Sequence, residues 1–159
     1  MVIVSNTTPI IALSAANRLD LLKSLFKEII ITEEVKDELI AKKRYGAEFP
    51  FLDWVKIRKV KNKEFNKALS LELGPGEASV IVLGKEISAN FVIIDEKDGY
   101  KKAKYFELNP IRTLALLETA KKKGLIDEMK PIVLEMVNRG IWYKKELIIK
   151  FLKDNHEKW

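Results

Sequence analysis

The chain has 159 residues, of which 47% are hydrophobic and 33% charged, and it carries a formal net charge of +6. That length and balance suit one domain over residues 1–159 with a buried core, and they argue against disorder. With no cysteine and a single histidine, His156, the chain has no disulfide scaffold, thiolate zinc site, iron–sulfur cluster or cysteine nucleophile, and any chemistry falls to carboxylates, hydroxyls, amides and lysines.

Four short runs read as strands: Val2–Ser5, Glu28–Ile31, Val55–Val60 and Phe91–Asp95. The first, second and fourth are almost continuously apolar, which suits strands covered on both faces of a parallel sheet. The third, VKIRKV, alternates and suits an edge strand. Between them the period turns helical. Thr8 before Pro9 predicts a helix start, Leu19, Leu22, Leu25 and Phe26 form an apolar stripe, and a helix is expected over about residues 32–43. Another opens after Gly74-Pro75-Gly76, and a lysine-rich helix follows Asp98-Gly99. Three more are expected over about 111–123, 127–138 and 143–154. Strands alternating with helices predict an α/β fold, with a mainly parallel sheet of four to five strands between helical layers.

No stretch approaches the ~20 apolar residues of a membrane span. The start, MVIVSNTTPIIAL, lacks the basic region of a signal peptide. The expectation is a cytoplasmic protein with no membrane partner. A chain rich in Ile, Lys and Glu, without Gln or Cys, leans toward a thermophilic source.

Charge is uneven along the chain. Residues 1–98 carry 15 basic and 15 acidic residues, whereas residues 99–159 carry 14 and 8. All the excess positive charge therefore lies in the last third. It reads either as solvated helix faces or as a surface that attracts phosphates.

In parallel α/β folds, function gathers beyond the carboxyl ends of the strands. Asn6 ends the first strand and Asp95 the fourth, with Asp98 three residues on. Glu77 opens the helix after Gly74-Pro75-Gly76, and Glu34 and Glu38 sit four apart on one helix. Three or four acids in one cleft call for a hard cation such as Mg²⁺ or Mn²⁺. Such an ion polarises a phosphate and lowers the pKa of water. Each residue also has a plain structural reading: Asn6 and Asp98 as N-caps, Glu77 as a partner of a helix dipole, Glu38 as a solvated helix residue, Asp95 as an acceptor for nearby amides.

These segments resemble one family. VIVSNTTPIIAL is similar to the first strand and turn of the PIN-domain ribonucleases, nearest to the VapC-type toxins of toxin–antitoxin pairs. IIITEEVKDEL, GPGEASVIVLGKE, FVIIDEKDGYKKAK, RTLALLETAKKKGLI and GIWYKKELIIKFL follow in that family's order. The resemblance implies a three-layer PIN-like fold and a Mg²⁺- or Mn²⁺-dependent RNA phosphodiesterase. Residue by residue, Glu38, Glu77 and Asp95 match the acidic metal positions, Asp98 is a fourth, and Thr7 or Thr8 matches a hydroxyl beside the first acid. RNA is the implied substrate. A toxin-like subunit adds an antitoxin-like protein as partner, and the apolar stripe of the last helix, with Trp142 and Trp159, suits such a partner, a homodimer or packing within the chain.

Asn6 departs from the pattern, because the family's first acid is usually Asp. Asn keeps one oxygen ligand and loses the charge. Two readings follow: a nuclease in which Asn6 orients the metal or its water, and a PIN-fold RNA- or protein-binding module with an impaired site.

Overall fold

A computed structural model describes residues 1–159. Five strands form one sheet: β1 (Ile3–Ser5), β2 (Ile29–Thr32), β3 (Val55–Arg58), β4 (Phe91–Ile93) and β5 (Pro110–Ile111). The order across the sheet is β3-β2-β1-β4-β5, and every pair is parallel. Nine α-helices flank it: α1 (Thr7–Ala15), α2 (Asp20–Phe26), α3 (Glu33–Lys42), α4 (Lys63–Ser70), α5 (Pro75–Glu86), α6 (Lys97–Tyr105), α7 (Thr113–Lys122), α8 (Lys130–Asn138) and α9 (Lys145–Asp154). This is the three-layer α/β arrangement that the alternating pattern predicts.

The apolar runs behave as their composition requires. All residues of β1 and β2 are buried, whereas β3 buries only Val55. Strand β3 sits at the edge as expected, but its burial does not alternate, since Lys56, Ile57 and Arg58 are all exposed. Ile3, Ile29, Ile31 and Ile93 are fully buried, each contributing roughly 1.5–3 kcal/mol of hydrophobic stabilisation.

Several boundaries differ from expectation. The first helix is entered from Asn6, not Thr8, so Pro9 lies inside the first turn, where a missing N–H costs nothing. The lysine-rich helix starts at Lys97, so Asp98 and Gly99 lie within it and Asp98 is not its cap. Helix α4 and strand β5 were not legible. Helix α4 is eight residues long and has only Phe65 and Leu69 as large apolar residues four apart. Strand β5 is two residues long and begins with Pro110, a residue that argues against a strand. It pairs with β4 through Val92 and Ile93.

The strand order determines where a site can form. From β1 the chain moves outward to β2 and β3, then returns to the other side of β1 for β4 and β5. The direction of winding reverses between β1 and β4, which opens a crevice beyond their carboxyl ends. Ser5 is paired with Ile93, so Asn6 and the residues after β4 emerge there side by side.

Candidate active site

Three consecutive residues at the start of α1 organise the crevice. Asn6 is 3% exposed and occupies the N-cap position, yet its side chain makes no capping bond. Its Nδ2 donates to Glu96 Oε2 at 3.2 Å. Glu96 only accepts, so this bond fixes the orientation of the amide. Asn6 Oδ1 is then buried without a partner. Thr8 Oγ1 donates to the other oxygen of Glu96 at 2.5 Å. Thr7, also buried, donates to Glu38 Oε2 at 2.5 Å.

The i, i+4 pair on α3 is divided by its partners. Glu38 accepts from Thr7 and from the backbone N–H of Gly76 at 3.0 Å. Glu34 instead accepts from Asn66 of α4 at 3.0 Å. Helix α3 is held in place by Thr32, whose hydroxyl caps it by accepting from the Val35 N–H and meets Ser79 Oγ of α5 at 2.7 Å. This buried hydroxyl pair ties the end of β2 to the first turns of α5, and so sets Glu38 against Gly76.

Helix α5 is capped by Gly74 with Pro75 at its first position, a pre-organised helix start. Glu77 follows in the first turn. Its carboxyl is pushed up to about 7 by burial and by the charges of Glu96, Asp98 and Glu38, with the backbone N–H of Gly74 pulling the other way. Two glycines make room for these acids. A Cβ on Gly76 would lie 2.6 Å from both oxygens of Glu38, and one on Gly99 would collide with Glu77 Oε2.

Asp95 is used differently. Its two oxygens accept from the backbone N–H of Thr113 at 2.8 Å and from Thr113 Oγ1 at 2.7 Å. Its carboxyl is pushed up by burial, against the pull of those two bonds. Asp95 therefore anchors the first turn of α7, as the amide-acceptor reading allows, and its neighbour Glu96 is the acid held by Asn6 and Thr8. Sequence reasoning missed Glu96. The signal was the Asp-Glu pair itself: of two adjacent acids leaving a strand, one faces the crevice and the other turns to the neighbouring loop.

A family model described as a PIN domain matches residues 2–157. The chain belongs to the PIN-domain family. No curated protein matches it. PIN domains are nuclease-type folds that in general depend on divalent metal and bind RNA. In this PIN domain no three acidic or histidine side chains close into a ready-made cage, and Glu38 and Glu96 each accept from a threonine hydroxyl. The donor set nevertheless suits a hard cation. All its atoms are oxygens, Asn6 Oδ1 is buried and unpartnered, and Glu77 sits among three further carboxylates that disfavour its charge.

Proposed function

We propose that this PIN domain is a Mg²⁺- or Mn²⁺-dependent ribonuclease whose metal is held by Glu38, Glu77, Glu96 and Asp98, with Asn6 Oδ1 as a neutral oxygen ligand. The observation that carries the reading is the gathering of Glu38, Glu77 and Glu96 beside the buried, unpartnered Asn6 Oδ1, with Gly76 and Gly99 leaving room for the carboxylates, a crowding that pushes Glu77 up to about 7. Acids that oppose one another's ionisation at a topological switch point mark a functional site. When bound, the metal supplies Lewis-acid polarisation of the phosphodiester and a water of lowered pKa. The chain's own residues set the frame. Thr7 and Thr8 hold Glu38 and Glu96 in single orientations, and Asp95 acts as a positioning residue through Thr113. Glu77, crowded by like charges when the site is empty, would be held as a carboxylate by a bound cation.

The test is Mn²⁺ titration by calorimetry on native protein, Glu77→Gln and Asn6→Asp, followed by cleavage of RNA of mixed sequence. Binding that Glu77→Gln abolishes and Asn6→Asp tightens, with metal-dependent cleavage, supports the proposal. Native protein that neither binds Mn²⁺ nor cleaves overturns it.

A second reading is favoured by one contact. Asn6 Nδ2 already occupies an oxygen of Glu96, where an aspartate would leave that oxygen free and add a charge. A PIN-fold module that binds RNA or protein without cleaving follows if only Asn6→Asp binds Mn²⁺. The VapC-like placement, with an antitoxin-like partner or a second copy, rests on the motif resemblance.

A further inference from the structure

Part of the positive charge of the last third gathers, with Lys97, around one cavity. Lys97, Tyr100, Lys101 and Lys104 fall at i, i+3, i+4 and i+7 along α6, which places them on one face. Opposite them lie Arg112, at the start of α7, and the segment Trp142-Tyr143-Lys144 that leads into α9. Together they line a cavity of ≈ 580 Å³ that contains no acidic residue. None of its five cations has a carboxylate within ion-pair distance. Arg112 also faces Asp95, to whose backbone carbonyl its Nε donates at 3.4 Å, whereas the four lysines form a surface of one sign that attracts anions.

The aromatic groups narrow the class of anion. The Arg112 guanidinium lies 4.0 Å from the centre of the Tyr100 ring and Lys104 Nζ lies 5.3 Å from it, so that ring is already engaged. Trp142 is 76% exposed, and its indole is the open aromatic surface of the cavity. Tyr143 has a buried hydroxyl with no hydrogen-bond partner. A planar group, several negative charges and a polar edge are the attributes of a nucleotide.

Position supplies the rest. Arg112, Trp142, Tyr143 and Leu147 also line a second cavity of ≈ 400 Å³, which holds Thr8, Asp95 and Glu96. The cationic cavity therefore opens directly onto the acid site.

We infer that this cavity is a subsite for a nucleotide of single-stranded RNA flanking the cleaved phosphodiester, with its base stacked on Trp142 and its phosphates held by Lys97, Lys101, Lys104, Arg112 and Lys144. The inference rests on the ribonuclease reading for the identity of the strand. A single strand is required, because a base inside a duplex has both faces covered and offers none to Trp142.

The test measures binding of a short fluorescent oligouridylate to the full chain in EDTA, by anisotropy over a range of KCl concentrations. Trp142→Ala is expected to weaken binding by roughly 5- to 150-fold, and Trp142→Phe to recover most of it. The double variant Lys101→Gln/Lys104→Gln is expected to lower the slope of log K against log salt by about 1.4, from two phosphate contacts at ~0.7 each. Native affinity in Trp142→Ala overturns the subsite, as does equal competition by duplex RNA or by polyglutamate. Mn²⁺ calorimetry on the same proteins separates the two readings. Trp142-dependent RNA binding without Mn²⁺ binding keeps the subsite and removes the cleavage reaction. Mn²⁺ binding with RNA affinity indifferent to Trp142 does the reverse.

Discussion

Replacing Glu77 by Gln is expected to stabilise the metal-free protein above neutral pH. The folded carboxyl is raised from an ordinary 4.5 to about 7. A raised carboxyl contributes stability that is fully present below the unfolded value and is lost as pH rises through the folded one. The native protein therefore loses stability between about pH 4.5 and pH 7, as Glu77 ionises beside Glu96, Asp98 and Glu38. The full shift corresponds to at most ~3.4 kcal/mol. Glu77 is only half-buried, so solvent screening reduces this to about 1–2 kcal/mol. Its place in the first turn of α5 opposes the effect through the helix dipole by ~0.3–1 kcal/mol, and the Gly74 N–H acts in the same sense. Burial and three like charges outweigh both. Thermal denaturation in EDTA at pH 8 should show Glu77→Gln melting ~2–8 °C above the native protein, with the difference gone at pH 4.5. Adding Mn²⁺ should reverse the order, because only the native site gains from the cation. A variant less stable than native at pH 8 without metal, or an identical difference at both pH values, would refute the electrostatic account.

Asp95→Ala should cost about 1–3 kcal/mol in urea unfolding, because it strands the buried Thr113 N–H. Asp95→Asn should cost less, since its oxygen still accepts from that N–H. Equal losses would show that the bond to Thr113 contributes nothing. Near the C-terminus, Glu157 accepts from the backbone N–H groups of Met129 and Lys130 and pairs with Lys121 Nζ at 2.8 Å. Burial raises its carboxyl, but Lys121 and the two amides outweigh it and hold it below the ordinary glutamate range. Glu157→Ala should therefore destabilise by ~2–4 kcal/mol at neutral pH, read from urea midpoints. The loss should shrink as pH falls through the depressed native value, where the native contact also disappears. Gly76→Ala should leave the far-ultraviolet circular dichroism unchanged and weaken Mn²⁺ binding at least tenfold in calorimetry, since the new methyl takes the space of both Glu38 oxygens. Native affinity would mean that Glu38 is not a ligand.

How much of the site could be read from the chain depended on the distance over which each residue is constrained. That Glu34 and Glu38 share one helix face and that Glu77 opens a helix were legible, because an i, i+4 spacing and the Gly-Pro-Gly turn before α5 are local. The choice between Glu34 and Glu38 was not legible. Both lie on α3, and only the packing of α4 and α5 assigns Glu34 to Asn66 and Glu38 to Thr7 and Gly76. Which of the two acids after β4 faces Asn6 and Thr8 was not legible for the same reason. Asp95 and Glu96 are chemically alike and adjacent, and what separates them is Thr113 on one side and Asn6 with Thr8 on the other.

By itself the sequence determined the class of fold and most of its elements, α4 and β5 excepted. Continuous apolar runs demand strands covered on both faces, amphipathic stretches between them demand helices, and alternation of the two demands a parallel sheet. It also determined that any metal ligands must be mainly oxygen donors, since there are no thiols and one histidine. The tertiary structure alone decided which acids meet. Hydrogen bonds and repulsion between carboxylates act over a few ångströms of space, and Asn6 and Glu96 are 90 positions apart in the chain. It likewise gathered Lys97, Lys101, Lys104, Arg112 and Lys144 around Trp142, because an excess of charge can be counted along a sequence but becomes a binding surface only where helices bring those charges together.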